Sequence, residues 1–90
     1  MADATYNGWP NRAAWNVALW IGNDEGLYRT SCDFARTHKR REQTITANMA
    51  RAFCADLFWK GETPDGDKLA DVTNEGWADI ATMFEELVSE

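Results

Sequence analysis

The chain of 90 residues is poor in the side chains that most often carry chemistry, with one histidine and two cysteines. A zinc site usually needs paired ligands such as C-x-x-C or H-x-x-x-H, and neither pairing occurs here. The same scarcity leaves few ways to pair a nucleophile with a general base. We therefore expect no metal site, no cofactor and no enzymatic activity.

Long apolar stretches are also missing. The longest runs from Trp15 to Ile21 and is interrupted by Asn16, whereas a membrane span needs roughly 18 apolar residues. No secretory signal is recognisable, so we expect a cytoplasmic location in which Cys32 and Cys54 stay reduced inside the core.

Aromatic residues, by contrast, are abundant. The chain has five Trp, four Phe and two Tyr, and each buries about 150 to 250 Å² when packed. At this length the chain forms one domain, and these side chains supply a core large enough to need no disulfide. We expect residues 1–90 to fold as a single unit with a frayed end at residues 1–5.

The first half of the chain predicts two helices joined by a tight corner. Asn11 is a good N-cap for a helix from Arg12 to Ile21, and apolar residues surround that helix on most sides, so we expect it to be the central one. Gly22 would end it, and Asn23 would cap a second helix over about residues 24–38.

The second half predicts two more helices. After a bend in the basic window 37–42, a third helix over about residues 43–60 carries apolar residues at a four-residue spacing from Ile45 to Leu57 and ends at Gly61. A loop at 62–67 and one helical turn at 68–72 follow. Thr73 or Asn74 would cap the last helix, and the whole forms an all-α bundle of about four helices.

Charge is distributed unevenly along the chain. Residues 1–28 contain one basic and three acidic residues, a net charge of −2. Residues 29–60 contain seven basic and three acidic residues, a net charge of +4, and residues 61–90 contain one basic and nine acidic residues, a net charge of −8. An acidic protein is repelled by nucleic acid unless its basic residues gather on one face. The basic middle and the acidic last third are therefore separate candidate sites.

The basic segment has two interpretations. Its side chains could meet DNA phosphates near a helix-turn-helix corner, as in a small DNA-binding regulator, or they could be solvated and pair with nearby acids. Much of the surface of the third helix is apolar, which argues against a DNA-recognition helix. The residues concerned are Arg36, Lys39, Arg40 and Arg41.

The acidic last third also has two interpretations. It could be the solvated face of an amphipathic helix, or an array of carboxylates that imitates DNA phosphates and occupies a nucleic-acid channel of another protein. The candidate partner-binding residues are Glu62, Asp65, Asp67, Asp71, Glu75, Asp79, Glu85 and Glu86, with Glu90 as a ninth acid.

One tryptophan stands outside the periodic pattern. Trp9 lies in the turn Asn7-Gly8-Trp9-Pro10, before the first helix. An exposed aromatic side chain favours binding to a partner or to a second copy, so we predict Trp9 as an exposed anchor in a monomer or homodimer.

The segment N-G-W-P-N-R-A-A-W-N-V-A-L-W-I-G-N-D-E-G-L-Y, from Asn7 to Tyr28, resembles a family of small uncharacterised proteins from phages, plasmids and prokaryotes. Their signature is N-G-W-x-N-x-x-T-W-x-V-x-L-W-x-x-N-(D/E), and W-x-x-I-A near their end is similar to the segment at Trp77. Ala14 replaces the usual Thr, which puts local helix capping in question.

The resemblance implies a mobile-element setting. In that setting small, acidic, non-enzymatic proteins often inhibit host defence, such as restriction or CRISPR complexes. The expected function is therefore inhibition of a host complex that handles nucleic acid, through a charged surface.

Overall fold

The computed structural model describes residues 6–88, so the predicted frayed end and Glu90 lie outside it. The predicted all-α fold is confirmed. The elements are α1 (Arg12–Asn23), α2 (Glu25–Arg40), α3 (Ala47–Leu57), a single 3-10 turn (Leu69–Asp71) and α4 (Thr73–Leu87).

The start of α1 is as predicted. The side-chain oxygen of Asn11 accepts a hydrogen bond from the backbone N–H of Ala14 at 2.8 Å, so one otherwise unpaired N–H of the first turn is satisfied. Ala14 therefore does not weaken the cap. Its methyl group is fully buried, and it lies where α1 passes closest to Gly76 of α4.

The corner between α1 and α2 differs from the prediction. Gly22 does not end α1, because the helix continues through Asn23 and Gly22 has no positive φ of the kind that a C′ glycine adopts. The N-cap of α2 is Asp24 rather than Asn23, with the Asp24 side chain accepting from Leu27 N at 3.0 Å. Asp24 N also donates to Trp20 O, so a single residue joins the two helices.

Helix α3 is shorter than predicted at both ends. The predicted bend at 37–42 is mostly helical, because α2 continues to Arg40. Thr46 caps α3 by accepting from Met49 N at 3.2 Å. Ile45 is buried although it precedes the helix, so the apolar spacing extends past the helix itself. Gly61 has the expected positive φ but follows the end of α3 by several residues.

The connection from α3 to α4 agrees with the prediction. Gly66 has a φ of +91° and donates its N–H to Thr63 O at 2.8 Å, which makes a turn inside the predicted loop. The 3-10 turn occupies the predicted single helical turn. Thr73 is the first residue of α4, with Val72 as its N-cap, and the Thr73 hydroxyl accepts from Gly76 N at 3.2 Å, as predicted for a capping side chain.

The central helix is α4, and the prediction that α1 is central is wrong. Helix α4 packs against α1, α2 and α3, whereas α1 packs mainly against α2, α4 and the 3-10 turn. Phe84 of α4 is fully buried and meets the edges of Phe34 and Phe53, whose rings stack at 4.1 Å. Only part of α1 is covered, and Leu19 is left 37% exposed.

Candidate functional site

The outer face of α4 carries a stripe of acidic side chains. Glu75, Asp79 and Glu86 are separated by four and seven residues, which places them on one side of an α-helix, opposite the buried Ile80 and Phe84. Asp71 is a further exposed acid, in the 3-10 turn that precedes α4. The exposed members are Asp71, Glu75, Asp79 and Glu86, and we call them the acidic stripe.

Most of the acidic stripe is electrostatically uncompensated. Within residues 6–88 the side chains of Asp71, Glu75 and Asp79 form no ion pair or hydrogen bond. From Glu75 to Glu86 the helix rises by about 16 Å. The stripe therefore presents several negative charges along one edge, and its field attracts a cationic surface.

The other four predicted acids lie off this stripe, and each also has a partner within the molecule. The prediction that all eight carboxylates bind another protein stays a prediction. Asp65 and Asp67 bind α1, Glu85 accepts from Ile45 N at 3.0 Å, and Glu62 approaches the Lys68 ammonium at 3.6 Å.

Asp65 holds the 62–67 loop against α1. Its Oδ2 atom accepts from Asn16 Nδ2 at 2.9 Å and from Trp20 Nε1 at 3.0 Å. These hydrogen bonds stabilise the charged form, so the pKa of the Asp65 carboxyl lies below its usual value, with Asn16 as the larger cause. Asp65 is therefore a structural acid, even though much of the residue is exposed.

Asp67 reinforces the same attachment from the other end of the loop. The Arg12 guanidinium donates from Nε to both oxygens of Asp67, at 3.3 and 3.2 Å. The Asp67 backbone N–H donates to Thr63 Oγ1 at 3.2 Å, and Thr63 N donates back to Asp67 O. The hydrogen bond and charge of Asp67 raise the pKa of the Arg12 guanidinium. Asp67 is thus largely occupied by internal partners.

Half of the basic segment is occupied as well. Arg36 pairs with Asp33 at 3.2 Å, and Lys39 Nζ donates to the carbonyl of Val88 at 2.6 Å. Arg40 and Arg41 are exposed and pair with no residue in the part of the chain that the structure describes. Of the four residues in the predicted basic site, Arg40 and Arg41 are therefore the two whose charges are not paired within the described residues.

Helix α3 does not look like a DNA-recognition helix. Its exposed positions are Asn48, Arg51, Ala52, Ala55 and Asp56. A recognition helix usually presents several polar or basic side chains to base edges and phosphates, whereas this surface offers one arginine next to an acid and two alanines. The helix-turn-helix alternative therefore has little support from α3.

The prediction that Trp9 is exposed is wrong. Trp9 is only partly exposed and packs against the core, because hydrogen bonds in both directions with Tyr6 fold the preceding segment back. Trp59 is instead 77% exposed. The spacing that places Phe53 and Leu57 in the core leaves Trp59 off that stripe, and this signal was available in the sequence.

The thiols are poorly placed for nucleophilic chemistry. Cys54 is fully buried, and burial raises the pKa of its thiol to about 12. Almost no thiolate therefore forms at neutral pH. Cys32 is also buried. Residues 6–88 contain no cluster of three or more metal-ligating side chains and no helix long and apolar enough to cross a membrane.

Comparison with known proteins gives one result. The family model described as "Family of unknown function (DUF7249)" matches residues 2–90. No curated protein and no solved structure matches the chain.

Proposed function

The chain belongs to this family of unknown function, and we propose that it is a non-enzymatic inhibitor that binds a host complex handling nucleic acid. The observation that carries the proposal is the acidic stripe, because Asp71, Glu75 and Asp79 are exposed and have no internal partner within residues 6–88. Uncompensated charge of one sign on a rigid helix attracts a surface of the opposite sign.

The charge spacing of the stripe can be compared with that of a DNA strand. Carboxylates four residues apart on a helix are separated by a rise of about 6 Å, compared with about 3.4 Å per phosphate along one DNA strand. The stripe thus offers roughly half the linear charge density of one strand. We expect it to compete for a few lysine and arginine side chains, with binding that weakens as salt rises.

The proposed inhibition is competitive and needs no chemistry on the partner. A bound acidic stripe places negative charge where phosphates would lie, so nucleic acid is both blocked and repelled. The host complex would be a CRISPR-Cas or restriction assembly, acting in the cytoplasm of an infected or plasmid-bearing prokaryotic cell. This assignment rests on the resemblance of the Asn7–Tyr28 segment to phage and plasmid proteins.

Two matched variants test the role of the acidic stripe. Glu75→Gln with Asp79→Asn removes two charges from the stripe, and Glu42→Gln with Asp56→Asn removes two exposed charges elsewhere that also have no internal partner within residues 6–88. The experiment captures partners from a host lysate and then measures cleavage by the captured complex. Inhibition should fall with the first pair and persist with the second.

No stable partner at physiological salt, or equal loss of inhibition with both pairs of substitutions, would refute the proposal. Equal loss would mean that total charge matters and that the position of the stripe does not.

A DNA-binding regulator is the alternative function. It rests on Arg40 and Arg41, which are exposed and unpaired within the described residues. A gel-shift titration at several salt concentrations tests it, because each phosphate contact contributes to the salt dependence of affinity. Salt-sensitive DNA binding that is lost on changing both arginines to glutamine would favour this alternative. No such binding would exclude it.

A further inference from the structure

The most exposed large apolar side chain among residues 6–88 is Trp59, just beyond the end of α3. Its indole is 77% exposed, although the neighbouring Phe58 is buried. The Lys60 ammonium lies over the ring at 5.3 Å from its centroid, which favours a defined ring position. A large, oriented aromatic group of this kind is typical of an interface anchor.

Trp59 separates two open clefts of about 400 Å³ each. The first extends towards Leu27 and Pro64 and includes Lys60. The second lies between Trp59 and Trp77, with Leu69 and Ala55 contributing apolar surface and Arg51 contributing its side chain. A protruding indole therefore stands directly beside a hollow large enough to receive another indole.

The charges around Trp59 nearly cancel. Among the residues that line the two clefts, Arg51 and Lys60 supply two positive charges, and Asp24 and Glu62 supply two negative ones, with Glu62 paired to Lys68. The chain as a whole has a net charge of −6, so two copies repel each other over most of their surface. They would meet with least repulsion through this neutral patch.

We propose that Trp59 and the cleft between it and Trp77 form a homodimer interface, and that the occupant is a second copy of this chain. In a twofold interface the same surface of each copy makes the same contact. A protruding side chain next to a cleft on one surface meets this requirement. The Trp59 indole of each copy enters the other's cleft. There the Arg51 guanidinium, which has no ion pair within residues 6–88, packs against the incoming ring.

The dimer should be weak. A packed tryptophan buries about 150 to 250 Å², so two exchanged indoles and their surroundings account for only part of the roughly 1,600 Å² of a standard interface. Trp59 would then contribute much of the binding energy, as an anchor at the centre of a small interface does. The acidic stripe shares no residue with this patch, so dimerisation does not depend on the proposed inhibitory function.

Sedimentation equilibrium of the purified chain, from about 10 µM to about 1 mM to bracket a weak complex, tests the proposal. The wild type should shift from monomer to dimer across this range. Trp59→Ala should weaken dimerisation by about 30-fold or more, the effect expected of an anchor residue. Ala55→Lys at an exposed helical position should do the same by filling the cleft and adding a like charge in both copies.

Tyr28→Ala is the control, because Tyr28 is a large exposed side chain on α2 that lines neither cleft. It should dimerise like the wild type, and circular dichroism should show that all variants are folded. A wild type that stays monomeric throughout, or a dimer that Trp59→Ala leaves intact, would overturn the proposal.

Discussion

Gly76 of α4 lies against the buried side chains of Val72 and Ala14, and replacing it with alanine should destabilise the fold. A Cβ atom added at residue 76 would lie 2.7 Å from Val72 Cγ1 and 3.0 Å from Ala14 Cβ. Carbon atoms pack best at about 3.5 to 4.0 Å, so both neighbours would have to move. Val72 and Ala14 are fully buried, and the β-branched valine has few alternative rotamers.

Two opposing effects set the size of the change. Forcing a methyl group into a packed core costs about 1 to 3 kcal/mol, whereas alanine in a helix is favoured over glycine by up to about 1 kcal/mol. We expect Gly76→Ala to lower the free energy of unfolding by about 1.5 kcal/mol, or about 6 to 12 °C in Tm for a domain of this size. Thermal unfolding followed by circular dichroism measures the shift.

Gly22→Ala provides the matched control. Gly22 is also helical, but a Cβ atom there meets nothing within 4 Å, so the variant should be more stable by about 0.5 kcal/mol. In a Val72→Ala background the cost of Gly76→Ala should shrink, because the closest clash is gone. A Gly76→Ala protein as stable as the wild type, or an equal cost in both backgrounds, would show that the close approach does not limit this site.

Two further predictions concern ionisable side chains. Asp65→Asn should lower the urea midpoint at pH 7, because the carboxylate that accepts from Asn16 and Trp20 is lost. Since the pKa of Asp65 is lower in the folded state, its contribution is complete above the unfolded-state value of about 3.9 and disappears as the pH falls through the folded-state value. The midpoints of wild type and variant should therefore converge in acid, and a constant gap would contradict this account. Cys54, with a thiol pKa of about 12, should react with iodoacetamide at pH 8 only when urea unfolds the chain, and fast labelling of the folded protein would contradict its burial.

The local signals in the sequence predicted the helices better than their arrangement. Asn11 was identified as a cap, and Thr73 was one of two candidates with Asn74, because such side chains bond backbone atoms only three residues away. The start of α3 was predicted too early. Ile45 is a buried residue of the connecting segment, and it continues the apolar spacing of α3. The central position of α4 depends on contacts between helices, and no local pattern records these.

The roles of the acidic side chains also depend on contacts that the sequence does not show. Composition identified the excess of acids in the last third, but it could not separate structural carboxylates from free ones. Asp65 and Glu75 look equivalent along the chain, yet Asp65 binds α1 and Glu75 lies on the outer face of α4. That difference arises from tertiary contacts about 50 residues apart in sequence. The partial burial of Trp9, which was predicted to be exposed, likewise depends on its packing against the core.

The attachment of the 62–73 region to α1 has a consequence for how the molecule folds. Asn16 and Trp20 find their acceptor 49 and 45 residues later in the chain, and Asn11 donates to Val72 O across 61 residues. Asn16 is fully buried in the folded chain, and its amide exchanges water for the Asp65 carboxylate only when that region packs against α1. These bonds join residues distant in sequence, so the folding rate should be slower than the helix content alone suggests.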